Sequence, residues 1–349
     1  MVEWKKIEDV CDVLTGGDVP GNCIKGQISP SNSHPYAVYS NGDDVYGYST
    51  NYRINKDAVT ISSIGNVGSV NYRSAFFTPV IRLKVVIPNQ SLLQTKFLYY
   101  TLLCHKFVGT NSSLSSMKAA DIKKTNVPIP SLADQTRIVG ILDMFTSSIS
   151  NLKQQIEERR KQYEYERDRL MDMEGKEGVE MKKVGEIAKV LRGKRLTKNL
   201  LDDNAPHPVY HGGLEPLGRY DQYNREANTV MVINVGASAG TVGFSDCKFW
   251  SSDGCFCISH SERLNNKYLF YYLQTKTHYL QSQVRHAGIP TLDNPVVEKI
   301  EIPILSLDGQ SRIVSILDTF EASIKNLEEQ LALREKQYEY YRNKLLTFE

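Results

Sequence analysis

No apolar run in this sequence approaches the ~20 residues that a membrane-spanning helix requires, so no membrane partner is expected. The opening residues, Met1-Val2-Glu3-Trp4-Lys5-Lys6, lack the apolar stretch of a signal peptide. Cysteine is scarce, six in 349 residues, and its spacing does not form a disulfide framework. These absences point to a reducing, cytoplasmic setting. Cys247, Cys255 and Cys257 cluster without a second ligand pair, so packed thiols are expected rather than a metal site. His207 and His211, on either side of Pro208, likewise lack two further ligands. The G-x-G-x-x-G of dinucleotide folds, the Gly-Lys-Ser/Thr of phosphate loops and His-Glu-x-x-His are missing, and the G-x-S-x-G of a nucleophile elbow is not expected either. So is the Asn/Asp-Pro-Pro-Tyr/Phe segment of amino-methyltransferases. No self-contained catalytic site and no resident cofactor are expected. Excess charge is absent too: 42 Lys+Arg against 40 Asp+Glu leave a net charge of +2, which does not by itself announce a polyanionic partner.

What the sequence does contain is a repeat. Residues 128–174 recur as 303–349 at a constant offset of 175, with 26 of 47 aligned positions identical. The matches include Gln135/Gln310, Arg137/Arg312, Asp143/Asp318 and the run 161–165 against 336–340. The chain is a tandem duplication and divides into four segments: 1–127, 128–175, 176–302 and 303–349. A duplicated chain can fold about an internal pseudo-two-fold axis and suits a partner that is two-fold or used twice, such as duplex DNA.

Each repeated segment reads as one long helix. In the first, Leu142, Phe145, Ile149, Leu152, Ile156, Tyr163 and Leu170 follow steps of three and four. The second gives Leu317, Phe320, Ile324, Leu327, Leu331, Tyr338, Tyr341 and Leu345. Alternating threes and fours make a heptad seam, which one helix alone would leave exposed. Two such helices in one chain can cover each other, most simply as an antiparallel coiled coil. Arg159 and Arg334 occupy the same seam slot, a costly choice that can fix register. Pro128, Pro130 and Ser131 form an extended lead-in, with Ser131 or Asp134 as cap. Forty residues of helix make a rod of roughly 60 Å.

The two modules share a plan and differ in detail. Each contains strand-like runs broken by turns: 36–39 before Ser40-Asn41-Gly42, and 209–210 before His211-Gly212-Gly213. An apolar strand then meets a Gly-rich turn, at 65–68 and at 236–243, and an aromatic helix follows at 97–100 or 268–272. A Gly-rich turn serves either as a plain tight turn or as one that also approaches a phosphate backbone. Residues 1–125 carry 13 Lys/Arg against 9 Asp/Glu, and 176–300 carry 16 against 13, so the basic surplus sits in the modules. One scaffold carrying two divergent modules suits two different readers.

The closing segments, Pro-Ile-Pro-Ser-Leu-x-x-Gln-x-Arg-Ile-Val-x-Ile-Leu-Asp and its second copy, resemble the helical regions of the DNA-specificity subunit of type I restriction–modification systems. The resemblance covers the whole chain: module, helix, module, helix. One departure is the residue before the repeated Gln, Asp134 in the first copy and Gly309 in the second, and Gly309 weakens helix initiation. The resemblance implies an α+β fold with two target recognition domains joined by two long antiparallel helices. Each domain would read one half of a split sequence in double-stranded DNA. The helices would set the unread gap and bind two modification subunits, which supply S-adenosylmethionine and methylate adenine. Restriction subunits that use ATP would join to translocate and cleave. The chain itself would not be an enzyme. Rival readings are an unrecognised DNA methyltransferase or nuclease, and a coiled-coil adaptor that binds no DNA.

Under this reading, DNA contacts in the first module are expected from Ser40, Asn41, Tyr46, Arg53, Asn66, Tyr72 and Arg73. In the second they are expected from His211, Tyr220, Arg225, Ser238, Thr241, Arg285, His286 and Thr291. Asn and Arg suit base edges, and Tyr and Ser suit phosphates. Partner contacts are expected from Gln135, Arg137 and Tyr165, and from Gln310, Arg312 and Tyr340, because Tyr165 and Tyr340 lie off the seam and aromatics so placed favour interfaces.

Overall fold

The computed structural model describes residues 2–107, 117–173 and 175–348. The repeat's end points, Glu174 and Glu349, lie outside the described residues. The chain forms two compact units: residues 1–153 with 330–349, and residues 154–329. Each unit takes one module together with parts of both long helices. A lone helix has no core of its own and packs on whatever covers its seam.

In unit 1, strand Glu3–Lys6 pairs antiparallel with Asn126–Ile129, setting Trp4 against Pro128. The proline lead-in is thus the last strand of the module. A four-stranded antiparallel sheet follows the order Cys11–Thr15, Lys84–Pro88, Ala58–Ile61, Val70–Arg73. Its inner strand Ala58–Ile61 is buried at every position, which is why it does not alternate polar and apolar residues. A second sheet runs Ile24–Lys25, Val45–Ser49, Tyr36–Tyr39, Phe77–Pro79, the last two parallel. Unit 2 repeats the plan. Strand Glu180–Lys183 pairs with Glu301–Ile304. The main sheet follows Val190–Arg192, Cys255–Ile258, Thr229–Ile233, Val242–Ser245, and the second follows Gly218–Tyr220, His207–Tyr210, Trp250–Ser251.

Each aromatic helix, Thr95–Leu103 in unit 1 and Asn266–Thr275 in unit 2, packs between its main sheet and a long helix. Phe97, Leu98 and Leu102 share a core with Ile138 and Leu142. Tyr268, Leu269 and Leu273 share one with Ile313 and Leu317.

The long helices span Leu132–Met171 and Leu307–Leu346. Ser131 Oγ accepts the Asp134 N–H at 3.1 Å, and Ser306 Oγ accepts the Gly309 N–H at 3.2 Å. The serine cap offsets the weak initiation that Gly309 alone would bring. In unit 1, Phe145 stacks on Tyr341 at 5.4 Å and Lys153 pairs with Glu335 at 3.0 Å. In unit 2, Arg160 pairs with Glu328 at 2.5 Å and the Tyr163 hydroxyl reaches Glu321 at 3.5 Å. In both units one helix index rises as the other falls, so the pairing is antiparallel, as the seam requires.

Two duplicated devices fix each module on its helix. Gln135 Oε1 accepts the Gln94 N–H at 2.8 Å while its Nε2 donates to the carbonyls of Leu92 and Pro130. Gln310 does the same with the Asn265 N–H and the carbonyls of Arg263 and Leu305. Farther along, Asp143 accepts from Lys96 at 2.6 Å and Tyr100 at 2.7 Å. Asp318 accepts from Lys267 at 2.6 Å and Tyr271 at 2.5 Å.

Candidate nucleic-acid interface

At one end of unit 1, three loops converge. Asn41 joins them: its Nδ2 donates to the Ile81 carbonyl at 2.6 Å, and its Oδ1 accepts the Ser63 N–H at 2.7 Å. Ser62 Oγ donates to the Asn41 carbonyl at 2.7 Å. Asn41 therefore spends its side chain on the scaffold and is not free to read a base, contrary to the sequence expectation. It does place Ser40 and the turn holding Asn66 on one surface. Asn66 is exposed, and the turn needs glycine because Gly65 and Gly68 stand at φ +72° and +89°. Arg53 is exposed, with its guanidinium against Gly17, which accepts the Ile81 N–H.

Two other expected readers of unit 1 lie elsewhere. Arg73 is buried, 3.9 Å from the Tyr39 ring centroid, and donates to the Gly42 carbonyl at 3.3 Å. Burial holds its pKa below the usual guanidinium value. Tyr72 donates to Asp57 at 2.5 Å and lies near Tyr99 of the module helix. Burial first, then Asp57, pushes its hydroxyl up to about 12. Both belong to strand Val70–Arg73, where the buried residues are Val70 and Arg73 at its two ends, so no period-2 pattern marks either reader in the sequence. Tyr46 is half-buried beside Lys25 on the second sheet.

Unit 2 gathers most of its expected residues. Gly236 N–H donates to the Pro290 carbonyl at 2.9 Å, and Thr291 bridges to both Val235 and Arg285. The Ser238 turn and the loop carrying Arg285 and His286 thus share one surface. Thr241 closes that turn, its N–H on the Ser238 carbonyl at 3.1 Å. His211 joins through Gly254, whose N–H meets its Nδ1 at 3.2 Å, with Asp253 also 3.2 Å away. Sequence reading missed Lys194 and Arg195 at this edge: the Lys194 N–H donates to the Ser251 carbonyl at 2.9 Å. Arg285 and His286 are exposed, Arg285 pairing with Asp293 at 2.8 Å. Arg225 is half-buried and donates to the Arg192 carbonyl at 2.8 Å, and half-buried Tyr220 packs edge-on against Trp250. Both are engaged within the unit rather than gathered with the Ser238 and Arg285 loops.

The segment Gly236-Ala-Ser238-Ala-Gly240 does fit G-x-S-x-G, which corrects the expectation that this motif is absent. A nucleophile elbow needs strand, sharp turn, then helix. Here the turn joins strand Thr229–Ile233 to its antiparallel neighbour Val242–Ser245, so that context is lacking.

Residues 1–159 and 176–333 each match the type I restriction modification DNA specificity domain. The chain belongs to this family of specificity subunits. It is 28% identical to a Haemophilus influenzae protein assigned as a type I restriction enzyme specificity subunit, over 99% of this chain and 96% of that one. It is 29% identical to the EcoR124I/EcoR124II specificity subunit of Escherichia coli, covering 74% and 72% of the two chains. The S subunit from M. genitalium has the same fold, with a TM-score of 0.74 over 100% of this chain and 97% of that one at 16% identity. A chain from a structural study of complex assembly in the type I system aligns at TM-score 0.58, 16% identity, over 99% and 97%.

In this specificity subunit, the expected partner residues divide in two. Gln135 and Gln310 are fully buried and bonded within their own units, so a partner cannot touch them. They are helix-positioning residues. Tyr165 and Tyr340 are 68% and 59% exposed. Arg137 and Arg312 are also exposed, each paired only with an acid on its own helix, Asp134 and Asp308. No helix among the described residues is long and apolar enough to cross a membrane.

Proposed function

We propose that this chain reads a bipartite double-stranded DNA sequence, one half with each unit, and directs adenine methylation and cleavage by partner subunits. The observation that carries it is the pair of modules built on one plan, each presenting a different loop surface, in a chain whose two halves both match the DNA specificity domain. Unit 1 would read through Asn66, Arg53 and their neighbours, and unit 2 through Ser238, Arg285 and His286. The helices would hold the unread gap between halves. Tyr165 and Tyr340, with Arg137 and Arg312, would contact two modification subunits. S-adenosylmethionine and ATP would act on the partners, and this chain would hold no catalytic group of its own.

Each module's basic surplus is thin, so few phosphate contacts are available. Specific DNA should bind weakly to the chain alone and tightly to its complex with the modification subunit. A binding titration with and without that subunit tests this. Equal affinity in the two cases contradicts the proposal.

A further inference from the structure

Ile81 and Arg82 are consecutive and both left-handed, at φ +51° and +61°. Neither has glycine's freedom there, and a β-branched side chain in that region is a genuine outlier. Unit 2 makes the corresponding turn at Asp253-Gly254 without a positive φ. In unit 1 the conformation is held from several sides. Asn41 Nδ2 donates to the Ile81 carbonyl at 2.6 Å and Ser63 Oγ to the Arg82 carbonyl at 2.8 Å. The Ile81 and Arg82 N–H groups donate to Gly17 and Gly16 at 2.8 and 3.1 Å. Strained backbone persists only where its surroundings over-determine it, and such places cluster at sites of function.

What the turn presents is specific. Ile81 is 41% exposed. Arg82 is exposed, and among the described residues its guanidinium makes no hydrogen bond or ion pair. Arg53 lies across Gly17, and buried Lys84 donates to Thr15 Oγ1 at 3.3 Å nearby. Burial, and then the Arg82 charge, lower the Lys84 pKa, so Arg82 adds to a local excess of cations. A phosphate contact needs only a flexible point charge, which lysine supplies as well. Meeting two acceptors on a base edge uses arginine's planar fork, and here the backbone that carries the fork is held in place.

We propose that the Ile81–Arg82 turn reads a base pair in the half-site contacted by unit 1. Arg82 donates to the two acceptors on the major-groove edge of a guanine, and Ile81 packs against the adjoining base edge. The assignment rests on the DNA-specificity reading above.

The test uses the full chain assembled with its modification subunit, selecting from duplexes of random sequence. Arg82→Lys keeps the charge and loses the fork. It is expected to lose preference for one guanine by on the order of 10- to 100-fold, leaving the other half-site unchanged. Ile81→Gly relieves the backbone and is expected to melt at or above the wild-type temperature while discriminating less in the same half-site. The assignment is overturned if Arg82→Lys keeps every preference, or weakens all sequences uniformly as a phosphate contact would. It is also overturned if Ile81→Gly lowers the melting temperature and blurs both half-sites together. If the wild-type complex selects no sequence at all, the DNA-specificity reading falls and this assignment falls with it.

Discussion

The guanidinium of Arg334 lies 5.7 Å from the ring centroid of Phe145, and its repeat partner Arg159 lies 5.8 Å from that of Phe320. A cation in a heptad seam is costly unless something compensates for lost hydration. Here each arginine lays its charge over the aromatic seam residue of the opposite helix and keeps its stem in the seam. Replacing both with Ala is expected to lower stability by about 1 kcal/mol at each site. Denaturant unfolding of the double variant measures it. No change would mean the stacked charges add nothing beyond their hydration.

Gln135 and Gln310 yield a sharper stability prediction. Each satisfies three backbone groups at the junction of module and helix. Gln135→Leu fills similar space but strands the Gln94 N–H and two carbonyls. Burying such orphaned groups costs about 1–3 kcal/mol each, relieved wherever water enters. A loss of about 3 kcal/mol is expected, read as a melting-temperature drop. Gln310→Leu should behave alike.

The scaffold was legible in the sequence because its signals are local. Heptad steps, Ser131 and the repeat offset lie within one element and need no knowledge of the rest. The site was less legible because it is assembled over long separations. Asn41 looked like a reader in a polar turn; its true partners, Ser63 and Ile81, lie 22 and 40 residues away. The repeated Gln-x-Arg looked like one surface feature, yet Gln135 turns inward and Arg137 outward. Arg82 gave no signal, because turn rules look for Gly or Asn at left-handed positions and found Ile-Arg.

Alkaline pH should loosen both units. Burial first, and then carboxylate hydrogen bonds, raise the pKa of Tyr72 to about 12 and also raise those of Tyr100 and Tyr271. Each holds its proton more tightly when folded. The associated stability is therefore fully present below the ordinary tyrosine value of ~10 and is lost as pH rises through the folded values. Circular dichroism melts from about pH 8 to about pH 11.5 check this. Tyr100→Phe with Tyr271→Phe should start less stable and lose less across that range.

Tyr165 and Tyr340 are exposed aromatics outside both module cores. Changing both to Ser should leave melting unchanged within about 0.5 kcal/mol and weaken capture of the modification subunit. If capture is unaffected while stability falls, these tyrosines serve the scaffold.

The central claim is that two independent readers share one chain. Its most direct test is a map of methylated adenines in DNA from cells producing this chain with its modification subunit. The account predicts one split motif with a fixed gap, absent without the chain. Changing Arg285 and His286 to Ala should alter one half of that motif and leave the other intact. A contiguous motif, methylation that persists unchanged without the chain, or loss of both halves together would contradict it.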